Sequence, residues 1–354
     1  MLNFLKKLKT LACVFFFALT SPCFAANNTI DVLVVYTQGV YDIYGEDTET
    51  RINHLIQFTN QIYRDSQLDV ELHLAGLMQV NYTDDNDAAT ALQDITFARD
   101  DALKDVQATR EATKADMVIL YRPFKDVHGS CGQAWVGGAD SQGHFSAEHD
   151  KHYMYSHIPI NSCGDFSTAH ELGHNMGLRH SRLQDGKGGT FDFALGHGEM
   201  NKFATIMAYQ STFNADYWDG KAYKFSSPDL LCKGLPCGVS RDDIHDGADA
   251  RYALSVTTPQ IADFYIAADN VPPSSSSSSS ASSLSNSTEN SNNANINNPP
   301  ATESATNSSN GGGGGAVNIL MLCVLSALST MIQLRNKNQK ILKKRYSCAI
   351  LFLK

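Results

Sequence analysis

Basic residues are scarce where a nucleic-acid-binding protein would need them. Of 28 Lys and Arg, three (Lys6, Lys7, Lys9) precede residue 27 and seven follow Gly315, which leaves 18 against 37 acidic residues between them. A span with a net charge of −19 repels a phosphate backbone, so nucleic acid is excluded as a partner. No internal repeat is present, which removes solenoids and propellers. No C-x-x-C spacing occurs, which argues against a Cys-ligated metal site. No D-x-D-x-D-G loop occurs either, so Asp84, Asp85 and Asp87 carry no calcium expectation. Long hydrophobic runs are confined to the two ends. What remains is a chain of 354 residues, 42% apolar and 18% charged, long enough for a large globular core.

The first 26 residues run from the lysines through the apolar stretch Leu11 to Leu19 to Cys23-Phe24-Ala25, the pattern of a signal peptide cleaved after Ala25 or Ala26. That stretch is too short to span about 30 Å of hydrocarbon. From 269 to 315 the composition turns to Ser, Asn, Pro and Gly, which cannot bury enough apolar area to offset chain entropy, so a disordered tether is expected. Residues 316–334 are long and apolar enough for a transmembrane or sorting helix, and the basic residues of 335–354 make a cytoplasmic tail that leaves the acidic domain outside. The Gly run, apolar helix and basic end together resemble the GlyGly-CTERM sorting tail of Gram-negative bacteria, which implies an extracellular or cell-surface protein, membrane-held unless processed. Four cysteines lie in residues 27–268: Cys131, Cys163, Cys232 and Cys237. In an exported domain an even number suggests two disulfides; of three possible pairings we favour Cys232–Cys237 as a local clip and Cys131–Cys163.

Within 27–268, Ile30 to Tyr36, Val70 to Val80 and Met117 to Tyr121 read as strands, and helices are expected from about Asp47 to Ser66 and Asp87 to Ala112. This alternation predicts an α/β domain with a mostly parallel sheet. Gly129 to Gly138 and Tyr153 to Ile160 read as two more strands, the first at an edge, and Thr258 to Ala267 as a terminal helix.

Residues 170–180 read HELGHNMGLRH and fit H-E-x-x-H-x-x-G-x-x-H at all five fixed positions. A chance match in a chain of this length is on the order of one in ten thousand. On a helix, His170 and His174 project from one face about 6 Å apart and can grip one metal ion. Glu171, beside the first ligand, reaches the water at that ion without binding it. Gly177 can take positive φ and turn the chain so that His180 returns as third ligand. Three imidazoles leave one tetrahedral corner open, which suits a catalytic Zn²⁺ better than a structural one.

The elongated motif resembles the zinc signature of the metzincin metalloendopeptidases. Thr205-Ile206-Met207-Ala208-Tyr209 is similar to their methionine turn, with Met207 as an apolar floor. Ser130 to Gly137 is similar to the edge strand of reprolysin-like (adamalysin-type) enzymes, which implies that Gly132, Ala134, Trp135 and Val136 bind substrate as an added strand. The resemblance implies a metzincin-type fold: a twisted, mostly parallel sheet with an antiparallel edge strand, a zinc-binding helix and a Met-turn. It also implies a monomeric zinc endopeptidase acting on proteins or peptides, with Glu171 as general base. Two departures stand out. Ser181 follows the third histidine where adamalysins usually have Asp, and Tyr209 matches astacins and serralysins, in which that tyrosine assists the transition state. The family's large inhibitory propeptide has no expected counterpart before the first strand. His144, His149, His152 and His157 fit no zinc spacing and read as a solvated loop leading into a strand, while His197 reads equally as a cleft or a loop residue. The alternative from a different class is a catalytically silent zinc-containing surface adhesin.

Overall fold

The computed structural model describes residues 28–265. The signal peptide, tether, apolar helix and basic tail expected at the two ends lie outside the described residues. Among the described residues no helix is long and apolar enough to cross a membrane.

Five strands, β1 (Asn28–Thr37), β2 (Val70–Val80), β3 (Met117–Arg122), β4 (Gln133–Ala134) and β5 (Tyr155–Pro159), form one sheet in the order β2-β1-β3-β5-β4. All neighbours are parallel except β4, which runs antiparallel to β5 at the edge, pairing Gln133 with His157 and Ala134 with Ser156. Central strands covered on both sides need apolar residues at consecutive positions. Val32 to Val35 and Met117 to Tyr121 are accordingly all buried. Alternation then divides them between two cores. Ile30, Val32, Val34, Met117, Ile119 and Tyr121 face one; Leu33, Val35, Val118 and Leu120 face the other.

Helices α1 (Gln38–Tyr44), α2 (Thr48–Asp65), α3 (Ala88–Phe97) and α4 (Val106–Thr113) occupy the first half of the domain. The second half holds α5 (Ser167–Asn175), the short turn α6 (Arg182–Asp185) and α7 (Ala250–Ala262). The stripe Ile52, Leu55, Ile56 and Ile62 of α2 joins Ala169 and Leu172 of α5 and Leu254 and Ile261 of α7 on the first core. Ala91, Leu92 and Ile95 of α3 and Val106 of α4 cover the second. The zinc-motif helix thus lies with α2 and α7 in one layer of a three-layer α/β domain.

Three expectations need correction. The single helix over 87–112 is two: Asp87 caps α3 by accepting from Thr90 N (2.8 Å), but Ala98 turns left-handed (φ 49) and Arg99-Asp100-Asp101 offers no apolar stripe to continue it. The terminal helix starts earlier, at Ala250, where Asp249 accepts from Tyr252 N (3.2 Å). Pro259 lies inside it, and the carbonyl it leaves without a donor belongs to the exposed Ser255. Of the strand expected over 129–138, only Gln133–Ala134 pairs. Both disulfides are present as expected: Cys131–Cys163 ties the approach to β4 to the loop before α5, and Cys232–Cys237 closes a small hairpin.

Candidate metal centre

Helix α5 carries His170, Glu171 and His174 and ends in a Schellman motif. Leu178 N donates to Gly173 O (2.9 Å) and Gly177 N to His174 O (2.9 Å), with Gly177 at φ 95. A methyl group at 177 would come within 2.9 Å of the Thr190 side chain, so both backbone conformation and space call for glycine. The reversal leads into β6 (Arg179–Ser181), parallel to β7 (Leu195–Gly196), and brings His180 against the two helical histidines. The ring centroids of His170, His174 and His180 lie 4.9, 4.8 and 5.2 Å apart, and their ligand atoms all fall within 4.8 Å of one another. All three residues are buried.

Each imidazole is held through Nδ1. His170 bonds Ile206 O (2.9 Å), His174 bonds Leu178 O (2.9 Å) and His180 meets the Asp185 carboxylate (3.0 Å). Backbone carbonyls and a carboxylate accept, so Nδ1 carries the proton and the Nε2 lone pair is the ligand. Burial is the main cause that holds both helical imidazoles neutral: it drives His170 well below its ordinary pKa and His174 down to about 3, with the neighbouring histidines adding to the effect. Neutral imidazoles are the form that binds metal. Three buried nitrogen donors, oriented by second partners, fit one Zn²⁺.

Asp185 is a residue that the sequence reading missed. It accepts from His180 N (2.7 Å) as well as orienting the ring. Burial works to raise its carboxyl, but the hydrogen bonds and charge of His180 outweigh that and hold it below the usual carboxylate range. Gln184 also enters the site: its Oε1 takes Ser181 Oγ (2.7 Å) and Tyr209 N (3.1 Å), joining the third histidine's strand to the Met-turn. Ser181, where adamalysins have Asp, therefore serves the α6 capping box.

The turn at 205–209 lies beneath α5. Met207 is buried between two glycines: a methyl at Gly173 would sit 2.6 Å from its Sδ, and one at Gly196 would sit 2.9 Å from its Cβ. Tyr209 hydroxyl is 3.0 Å from His180 Nε2, the ligand atom itself. Glu171 is buried, and Gly132 is packed so closely upon it that a methyl there would overlap the carboxylate. Ala134, Trp135 and Val136 are buried, and Trp135 Nε1 donates to Thr96 Oγ1 (2.9 Å), so these side chains are committed to the interior.

Among the described residues, His144, His149, His152 and His157 form no metal-capable grouping. The first three are exposed, whereas His157 is fully buried in β5, accepting from Arg122 Nε (2.9 Å). The His197 backbone clamps Thr205, with His197 N bonded to Thr205 Oγ1 (2.9 Å) and Thr205 N to His197 O (2.8 Å). Its ring lies beside Phe203 and Phe213.

Comparison with known proteins agrees with this geometry. A solved structure described as a chaperone–substrate complex matches at a TM-score of 0.51 and 20% identity, covering 68% of this chain and 35% of that one, a likeness of fold alone. A peptidyl-Asp metalloendopeptidase of Pseudomonas aeruginosa is 33% identical over 264 residues, 70% of this chain and 42% of the relative. One from Stenotrophomonas maltophilia is 28% identical over 245 residues, 67% of this chain and 52% of the relative. The chain thus spans about half the length of the curated relatives it matches. Residues 26–219 match a family model described as metallo-peptidase family M12, and the chain belongs to that family.

Proposed function

We propose that this protein is an exported zinc endopeptidase that hydrolyses peptide bonds, with a preference for sites containing aspartate. The observation that carries the reading is the convergence of three buried imidazoles, each oriented through Nδ1, beside a buried glutamate. The aspartate preference is taken from the peptidyl-Asp metalloendopeptidases, whose names state it.

Bound zinc supplies Lewis acidity toward a water molecule and the scissile carbonyl. Glu171 takes the proton of the attacking water and returns it to the leaving nitrogen. Tyr209 hydroxyl, which rests on His180, turns to donate to the developing oxyanion. The extended substrate lies along the main chain of residues 132–136, beside β4. The first 26 residues direct export, and residues 269–354 tether the domain to the cell surface in the manner of a GlyGly-CTERM tail until it is cut; the active species is a monomer.

Zinc content and cleavage of a peptide library test this together. One zinc per chain and cleavage that a chelator abolishes and added zinc restores are expected. A zinc-loaded chain that cleaves no peptide would instead favour the adhesin.

A further inference from the structure

Cys131 and Cys163 close a ring around Glu171. Cys131 precedes Gly132, which packs so closely on Glu171 that a methyl group there would overlap the carboxylate. Cys163 stands just before α5, the helix that carries Glu171, and its disulfide to Cys131 joins the two approaches at a Cα–Cα distance of 5.6 Å. The Cys163 side of this ring is a fixed post. Ser167, at the head of α5, donates from N to Gly164 O (3.1 Å) and from Oγ to Cys163 O (3.3 Å). Arg51 of α2 donates to Ile160 O (2.8 Å) and to Asp165 (2.6 Å) in the same loop. The Cys131 side has less support of its own, because β4 pairs with β5 through two residues, Gln133 and Ala134. The two disulfides also differ in access. Cys232 and Cys237 are buried, whereas Cys131 and Cys163 both keep part of their surface in water. Thiol–disulfide exchange requires access to a sulfur, so a thiol reagent reaches the bond beside Glu171 first.

We propose that the Cys131–Cys163 disulfide is a positioning cross-link for Glu171, and that its reduction switches the peptidase off with zinc still in place. The inference rests on the reading of Glu171 as general base. In the switching step one thiolate of a dithiol attacks a sulfur of the pair, breaking the S–S bond and forming a mixed disulfide. The second thiol then displaces the remaining cysteine and closes the disulfide of the reductant itself. Two electrons and two protons pass from the dithiol to Cys131 and Cys163, which end as thiols. Gly132 loses its covalent tie to the head of α5, and Glu171 loses a fixed wall. The histidines keep their own supports at Ile206, Leu178 and Asp185. An oxidising compartment thus holds the enzyme in working form, and a dithiol-rich one silences it.

The test treats the full chain with a water-soluble dithiol, removes the dithiol by desalting, alkylates one portion and lets another reoxidise. Alkylated cysteines are located by peptide mapping, and zinc content, kcat and KM are measured beside the C131S/C163S and C232S/C237S variants. Alkylation at Cys131 and Cys163 with Cys232–Cys237 intact is expected, with kcat lower by about 10²-fold and KM and zinc unchanged. Reoxidation should restore kcat. C131S/C163S should match the reduced enzyme, and C232S/C237S should keep the response to the dithiol. A full kcat after reduction at Cys131 and Cys163 overturns the inference, as does a disulfide there that resists the dithiol. Loss of zinc together with kcat also overturns it, by making the cross-link a support of the whole fold. Should C131S/C163S fail to fold, reversible reduction of the native enzyme decides. Cleavage by E171Q at the wild-type rate removes the base reading and the inference with it; a silent E171Q beside a fully active reduced enzyme removes the inference alone.

Discussion

Asp185 illustrates how one side chain sets the character of another. Its carboxylate accepts from both the backbone N and Nδ1 of His180, fixing the tautomer in which Nε2 is the atom that would bind the metal. Asp185→Asn keeps an acceptor but removes the charge, and zinc affinity measured by chelator competition is expected to fall by about 10–100-fold; unchanged affinity would mean that the carboxylate is incidental. The three histidines and Glu171 were legible because their spacing is a property of one helix and one turn. Asp185 was not, because its partner is reached through α6, and that contact leaves no periodic trace in the sequence.

At the scale of the element, the zinc helix is defined as much by its end as by its length. The Schellman turn at Gly177 carries the chain from His174 to His180, and its positive φ is open to glycine at little cost. Gly177→Ala is expected to cost about 1–3 kcal/mol of stability and to weaken zinc binding with it. Urea unfolding with and without zinc measures both, and a stable variant with intact affinity would show that the turn tolerates a side chain. The same logic explains which elements could be read ahead. Val70–Val80 and the zinc helix have clear periods, whereas the break at Ala98 depends on one left-handed residue and the start of α7 on the Asp249 cap. Edge strand β4 is two residues long, shorter than any alternation can mark.

For the whole molecule, the class of fold follows from strands alternating with helices, but the order β2-β1-β3-β5-β4 depends on crossovers that no local pattern records. Assembly buries groups that become sensitive to pH, and His157 is the clearest. Burial first, then the charges of Arg122 and His128, hold its pKa well below the ordinary value, so the folded protein leaves it neutral while the unfolded chain takes up a proton near pH 6.5. Below pH 6.5 the unfolded state therefore binds more protons and stability falls, by up to about 1.4 kcal/mol per pH unit from this residue. In urea unfolding between pH 7 and 5, His157→Gln should show a shallower loss than the wild type, by up to about 2 kcal/mol at pH 5. Parallel curves would place the pH response elsewhere.

The central claim is that a histidine triad holds one catalytic zinc while Glu171 moves the proton, and the Glu171→Gln variant separates these tasks because it keeps size and hydrogen bonding but cannot act as a base. Metal content and peptide hydrolysis measured on the same purified variant should give one zinc per chain with kcat lowered by about 10²–10⁴-fold. Hydrolysis at the wild-type rate, or a wild-type protein that carries no zinc, would contradict the account.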